Sequence, residues 1–214
     1  YEMFQKLEFK NLLSRFEVSP LSNGIEDQFQ VLTKKKEVEE VLEEAKSAEV
    51  VGIVLQKDEN VLPLFAEQAE IGSIGLCFAK DRIYTIVLND ELTVSYILEK
   101  MRELTNIVPQ ISMFHVKEAL KWIAFAEESA VFDMIVAAYL LNPLKNDYEY
   151  DDIAREYLNL MLDDKLEGTK KTCYMAYVAY AGCKVLEQQL HEKELYQLFH
   201  EIEMPLVFTL FDME

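Results

Sequence analysis

The stretch Glu49-Val-Val-Gly-Ile-Val-Leu-Gln56 is an apolar run rich in β-branched residues, and the polar residues 57–60 follow it directly. A run of this length and composition is typical of a strand that is covered on both faces of its sheet. It predicts the central first strand of an α/β domain. None of the positions 50–56 carries an acid, and this absence decides the functional interpretation.

The pattern on either side of this strand predicts an α/β half followed by a helical half. The first half contains a strand at 29–32, a helix at 33–47, the strand at 49–56, strands at 71–79 and 82–88, a helix at 92–104 and a strand at 107–112. The second half contains helices at 115–125, 131–141, 151–160, 172–190 and 192–214. The strands at 49–88 are expected to form a meander, and a break or kink is expected at Pro205.

Composition limits the classes of function. The chain has 214 residues, 50% hydrophobic content and a formal net charge of -18. It is long enough to bury a sizeable core, and its charge opposes strong binding to a polyanion. No apolar run approaches the roughly 20 residues that span a bilayer, and the three cysteines show no paired spacing. A reducing, cytoplasmic location is the expectation. No phosphate-binding glycine loop, zinc spacing or nucleophile elbow is visible.

Four segments, in order along the chain, carry a resemblance to a known family. They are Tyr1-Glu-Met-Phe-Gln-Lys-Leu-Glu-Phe-Lys-Asn-Leu-Leu13, Val131-Phe-Asp-Met-Ile-Val-Ala-Ala-Tyr-Leu-Leu-Asn-Pro143, Asp151-Asp-Ile-Ala-Arg-Glu-Tyr-Leu158, and Ile202-Glu-Met-Pro-Leu-Val207 with Asp212-Met-Glu214. The chain resembles bacterial DNA polymerase I, a family A polymerase. The first segment looks like the one that follows the 5′-nuclease region, the next two look like helices of the 3′-5′ exonuclease domain, and the last looks like the entry to the polymerase region.

The resemblance implies a fold and a division into domains. The fold would be ribonuclease-H-like, of the DnaQ exonuclease type, with a mixed sheet of about five strands flanked by helices. Residues 1–27 would be an N-terminal helix and linker after a 5′-nuclease region, 28–190 the 3′-5′ exonuclease-like domain, and 191–214 the start of the polymerase region. Because the chain begins at Tyr1 rather than at a methionine, we expect a piece of something longer. We also expect Leu206, Phe208 and Phe211 to be exposed.

Proofreading in this family uses two divalent ions held by four carboxylates, for which Asp and Glu are suitable ligands. The first two acids belong at i and i+2 of the first strand, where this chain has Ile53 and Leu55. The third belongs at Val116, or at His115 if the alignment slips by one residue. This chain therefore has no acid at any of the positions that the resemblance assigns to the first three ligands.

The fourth acid follows a tyrosine by four positions on the long helix, where this chain has Tyr177 and Ala181. Tyr177 is thus predicted to be a packing residue. The five positions Ile53, Leu55, Val116, Tyr177 and Ala181 are predicted to be vestigial. The four that replace acids should converge on one cleft, within on the order of 10 Å. Asp133 also matches the family, but its position resembles the structural start of a helix rather than that of an ion ligand.

These assignments predict a catalytically inactive 3′-5′ exonuclease-like domain, which serves as a structural module of an enzyme for DNA replication and repair. The parent chain would be a DNA-directed DNA polymerase. No catalytic residue, cofactor or metal ligand is predicted for this domain, and Mg²⁺ is expected only in the polymerase region. Its partners would be the polymerase and 5′-nuclease regions of the same chain. It would meet DNA through the parent enzyme, and it would have no membrane partner.

Two alternatives remain at this point. The first is an active 3′-5′ exonuclease with displaced ligands, for which the candidates are Asp58, Glu59, His115 and Glu118. The second is a free-standing acidic module that binds another protein through an apolar surface from the terminal helices.

Overall fold

The computed structural model describes residues 24–57, 71–125, 130–145, 147–163 and 165–214. Within them, the strands are β1 Phe29–Leu32, β2 Val50–Lys57, β3 Ile71–Ala79, β4 Arg82–Val87, β5 Gln110–Met113 and β6 Val131–Asp133. They form one mixed sheet in the order β1-β4-β3-β2-β5-β6. The α/β class predicted from the sequence is confirmed, with a sixth strand added to the five expected.

The described helices follow the predicted order. They are α1 Lys35–Ala45, α2 Val94–Thr105, α3 Val116–Ala119, α4 Met134–Leu141, α5 Tyr150–Leu158, α6 Gly168–Glu192, α7 Tyr196–Leu198 and α8 Met204–Asp212. A 3₁₀ turn at Ile25–Gln28 precedes β1, and a π-helical turn at Phe199–Glu203 joins α7 to α8. None of the described helices is long and apolar enough to cross a membrane.

The strand predicted as the centre of the fold, β2, lies between β3 and β5. It pairs antiparallel with β3, which pairs antiparallel with β4, so the predicted meander is confirmed. The α2 crossover sets β5 parallel to β2, as expected. Because neighbours flank β2 on both sides, its backbone groups have partners along both edges.

Two helix predictions are wrong at their ends. The segment 131–133 was expected to begin a helix, but it forms β6 and pairs parallel with β5. A segment of three residues, Val131–Asp133, is too short to show the hydrophobic period that distinguishes a strand from the first turn of a helix. The helix expected at 115–125 is α-helical only over Val116–Ala119, and further turns follow it.

Glycines set the long helix α6 directly on the sheet. A Cβ atom at Gly52 of β2 would lie 2.5 Å from the carbonyl oxygen of Ala176 and 2.6 Å from the amide nitrogen of Tyr180. A Cβ atom at Gly75 of β3 would lie 2.8 Å from the carbonyl oxygen of Thr172. Any larger residue at these two positions would therefore push the helix backbone off the strands.

The other face of the sheet is covered as well. Ile53 and its β3 partner Leu76 point away from α6, and both are fully buried. Helices α1 and α2 contribute buried residues such as Leu42 and Ile97 to the same apolar core. Burial of β2 on both faces explains its continuous apolar run.

The C-terminal segment packs on the body of the fold. Phe199 is almost fully buried, and its ring centroid lies 4.7 Å from that of Phe132 in β6. Phe208 is buried, so the expectation that it is exposed is wrong, whereas Leu206 is 44% exposed. Pro205 lies in the first turn of α8, directly after the π-helical turn. The boundary expected after residue 190 falls inside α6; the proposed domain limits remain a prediction, and residues 1–23 lie outside the described part.

Replacing Gly52 with alanine tests the contact between α6 and the sheet. Because the new methyl group meets backbone atoms rather than a flexible side chain, Gly52→Ala should lower the free energy of unfolding by about 2 kcal/mol or more. Chemical denaturation followed by circular dichroism measures this change in the free energy of unfolding.

The matched control is Gly182→Ala, because the nearest atom to its added Cβ is the terminal methyl of Met134. This side chain can move, and alanine raises helix propensity by up to about 1 kcal/mol. The control should therefore be close to neutral. Equal stability of Gly52→Ala and the unmodified chain would contradict the close contact.

Candidate functional site

The glycine contacts identify which β2 side chains face the long helix. Side chains alternate between faces along a strand, so Val54 and Gln56 share the face of Gly52. Val54 is also paired with Gly75, which faces α6 too. Ile53 and Leu55 therefore point to the opposite face.

This arrangement corrects the predicted register. Ile53 and Leu55 do not share a face with α6, so the structure does not gather them with Tyr177 and Ala181 in one cleft. The pair with the same i, i+2 spacing that does face α6 is Val54 and Gln56. Neither of these residues is an acid, so the absence of carboxylates on β2 holds in both registers.

Of the two predicted positions on α6, Ala181 points away from this part of β2. Ala181 follows Ala176, which contacts the sheet, by five residues, and so projects about 140° further round the helix. It is only partly buried. Tyr177 is half-buried, and its burial, together with its proximity to the Cys77 thiol, raises the pKa of its phenol. The role of Tyr177 as a packing residue stays a prediction.

The described residues form a cleft where β2 and β5 end. Its lining consists of Val54, Leu55, Lys57, Ile71, Met113, Phe114, His115, Glu118, Ala119, Lys121, Trp122 and Met175. Leu55, near the end of its strand, is the one of the five predicted vestigial positions in this lining, and the alternative candidates His115 and Glu118 also line it. The α6 residue in the lining is Met175 rather than Ala181. Asp58 and Glu59, two of the alternative ligands, lie outside the described residues.

His115, not Val116, lies in the cleft. Val116 is fully buried, and its amide donates a hydrogen bond of 2.8 Å to Oδ2 of Asp133. His115 is exposed in the left-handed backbone region, with φ of 51°, at the sharp turn from β5 into α3. The alternative alignment, shifted by one residue, therefore agrees better with the geometry.

Asp133 has the structural role that was expected. Its Oδ1 accepts hydrogen bonds from the amides of Ile135 and Val136, which caps α4, while Oδ2 joins the cap to α3. Burial raises the pKa of its carboxyl group, and the three amide donors oppose that shift. The carboxylate is fully used within the fold and is not presented to the cleft.

The cleft does not fit a pair of divalent ions. Hard cations such as Mg²⁺ require several oxygen ligands, and a two-ion site requires carboxylates on both sides of the reacting phosphate. Among the described lining residues, Glu118 is the single carboxylate, and a lysine lies beside it: Nζ of Lys57 is 3.9 Å from its Oε2. Nowhere in the described parts do three or more His, Cys, Asp or Glu side chains form a cluster that could hold a metal ion.

Several cleft residues were missed by sequence reasoning. Lys57 is the last residue of β2, and Trp122 is the single tryptophan of the chain. Lys121 and Met175 have no distinguishing pattern, since each occurs in an ordinary helical context. Only the position of Lys57 at the end of the central strand could have drawn attention.

The comparisons with known proteins agree with the resemblance. DNA polymerase I of Borreliella burgdorferi is 24% identical over 241 residues, which cover 98% of this chain and 26% of the relative. DNA polymerase I of Caldicellulosiruptor bescii is 24% identical over 222 residues, which cover 100% of this chain and 23% of the relative. The chain is similar to DNA polymerase I over its whole length. It spans about a quarter of these relatives, and no family model matches it.

A further relative and the solved structures support the same grouping. DNA polymerase I of Bacillus subtilis is 30% identical over 111 residues, which cover 45% of this chain and 13% of the relative. The polymerase domain of Pol1 from M. smegmatis, in complex with primer-template DNA and dNTP, has a TM-score of 0.66 and 17% identity over 86% of this chain and 31% of its own.

Two exonuclease structures show the fold more directly. The catalytic core of RRP6 from Trypanosoma brucei has a TM-score of 0.62 at 12% identity, with 84% of this chain and 52% of its own covered. The Nibbler EXO domain of Aedes aegypti has a TM-score of 0.58 at 11% identity, and the match covers 85% of this chain and 95% of the Nibbler domain. The predicted ribonuclease-H-like exonuclease fold is confirmed.

Removing the Asp133 carboxylate tests its structural role. Asp133→Ala leaves three amides without their acceptor, one of them on the fully buried Val116, and should lower the free energy of unfolding by about 2–3 kcal/mol. Thermal or urea denaturation measures the change. Asp90→Ala, at an exposed loop position, should change stability by less than about 0.5 kcal/mol. Similar effects of the two substitutions would argue against the capping role.

Proposed function

We propose that the chain is a catalytically inactive 3′-5′ exonuclease-like domain of a DNA polymerase I, retained as a structural module. The observation that carries the proposal is the composition of the cleft together with β2. Whichever register is used, the β2 positions that should supply two acids are apolar or amide side chains. Among the described residues that line the cleft at the end of that strand, there are one carboxylate and three basic side chains.

The wider assignment follows from the relatives. We infer that the parent chain is a DNA-directed DNA polymerase that acts in replication and repair, and that the polymerase and 5′-nuclease regions of that chain are the partners of this domain. DNA would be bound through the parent enzyme, in the cytoplasm. Mg²⁺ would be needed only in the polymerase region. Within the described residues, exposed apolar side chains on α8, such as Leu206 and Leu210, offer a surface to a neighbouring region.

The nuclease test is direct. Incubated with single-stranded DNA that has a free 3′ end, in Mg²⁺ or Mn²⁺, the purified chain should release no nucleotides, because the described residues hold no cluster of carboxylates for two ions. A 3′-5′ exonuclease with its four acids, assayed alongside, shows that the conditions support cleavage. Trimming of the 3′ end that disappears on chelation would overturn the proposal and favour displaced ligands.

Binding to DNA should be weak as well. The formal charge of -18 repels a polyanion, because affinity for phosphates comes largely from cations that displace counterions. At physiological salt, fluorescence anisotropy with a labelled primer-template should show no saturation below about 10 μM. Sub-micromolar affinity in that salt would contradict this expectation.

A further inference from the structure

Strand β1 forms one edge of the sheet. It stands first in the strand order, and among the described residues β4 is its single strand partner. On an edge strand, every second residue directs its N–H and C=O groups outward, where they can pair with another extended chain. Charged residues and proline usually protect such an edge, and the four residues Phe29–Leu32 include neither.

One apolar side chain of β1 is left at the surface. Val31 is 49% exposed, which makes it the most exposed large apolar residue on any described strand. It is paired with Thr85, whose hydroxyl contacts α6, so Val31 lies on the α6 face of the sheet. Phe29 lies on the same face and packs edge-to-face against Tyr174 of α6. A strand added beside β1 would extend this face and cover Val31.

The charges on either side of β1 have opposite signs. Glu26 and Asp27 precede the strand, and residues 34–36 after it are three lysines. Glu26 is engaged with side chains of α6, whereas Asp27 is exposed. The side chain of Lys34 is 73% exposed. A second copy of this segment in the antiparallel direction brings acids next to lysines at both ends, and a parallel copy brings like charges together.

We propose that β1 pairs with β1 of a second copy of this chain, antiparallel about a two-fold axis, so that two sheets join into one. Antiparallel hydrogen bonding permits the axis at Gln30 or at Val31. The first sets Val31 opposite Phe29 of the second copy, and the other sets it opposite Val31. In both, Asp27 lies within one residue of the position opposite Lys34. This inference goes beyond the proposed function and does not depend on the loss of nuclease activity.

The contact should be weak. Four residues of each copy supply few hydrogen bonds, and the Gln30 amide already donates to the Cys173 sulfur of α6. Each copy also carries a formal charge of -18, which opposes association. In physiological salt the Debye length is about 8 Å, so distant charges are screened and those beside the axis matter most. The dissociation constant should be on the order of 0.1 to 1 mM.

Sedimentation equilibrium of the full chain in physiological salt tests the pairing. As the concentration rises from about 10 μM to about 1 mM, the average mass should increase from that of a monomer toward that of a dimer. No larger species should form, because a two-fold contact uses the β1 edge of both copies and is closed.

Charge reversal tests the direction of the strands. Asp27→Lys places two lysines at each end of the contact, and Lys34→Glu places two acids there. Each variant alone should weaken self-association by about tenfold. An equimolar mixture of the two should associate about as tightly as the unmodified chain, because each end of a mixed dimer holds one acid and one lysine. General repulsion predicts the opposite for Asp27→Lys, since this change makes the chain less negative.

Two further variants serve as controls. Lys184→Glu matches Lys34→Glu in charge, and Lys184 is also exposed, at 61%, and paired with an acid, Glu49. It lies beside the start of β2, with two strands between it and β1, so self-association should not change. Val31→Lys puts a charge on the edge itself and should abolish pairing. Circular dichroism verifies that each variant is folded.

The outcomes separate this inference from its competitors. A monomer over the whole concentration range would overturn the pairing, and it is the result expected if residues 1–23 of the same chain occupy the edge. Self-association that neither charge reversal weakens, or that the mixture fails to restore, would also overturn it and would favour a contact elsewhere, such as the exposed side chains of α8. Neither result bears on the nuclease proposal, which the cleavage assay tests separately.

Discussion

The contact between the backbone of α6 and two glycines of the central strands is the constraint on which the rest of the structure depends. Gly52 and Gly75 remove the side chains that would otherwise separate helix from sheet, so backbone atoms of Thr172, Ala176 and Tyr180 occupy that space. A helix held this closely cannot rotate or slide without a clash. Its position then decides which face of β2 it covers, and which α6 side chains reach the cleft.

This constraint also explains what the sequence could predict and what it could not. The strand at 50–57 and the helix at 168–192 have long, strong patterns, and both were predicted to within a few residues. Alternation along β2 separates its residues into two sets, but it does not say which set faces the long helix. The register was therefore one residue out, at Ile53 and Leu55. Gly52 was the available signal, since a glycine inside a strand often marks the close approach of another backbone.

Short elements were harder to predict for a related reason. β6 has three residues, and α3 has four, so neither shows a full period of its pattern. Their conformations come from tertiary contacts: β6 from pairing with β5, and α3 from the hydrogen bond between Val116 and Asp133. The third predicted ligand position, Val116 or His115, lies at this junction. A difference of one residue there moves a side chain from the cleft, as at His115, into the core, as at Val116.

Loss of an acid in the cleft and loss of the buried acid Asp133 have different consequences for the fold. Carboxylates that bind metal ions lie where strands end, in a cleft open to water, and replacing them with apolar or basic side chains leaves core packing intact. Asp133 is different, because it is buried and accepts three amide hydrogen bonds that join α3, β6 and α4. Its loss would leave buried amides unpaired. The fold therefore depends on the capping acid and on the glycines under the long helix, and not on carboxylates in the cleft.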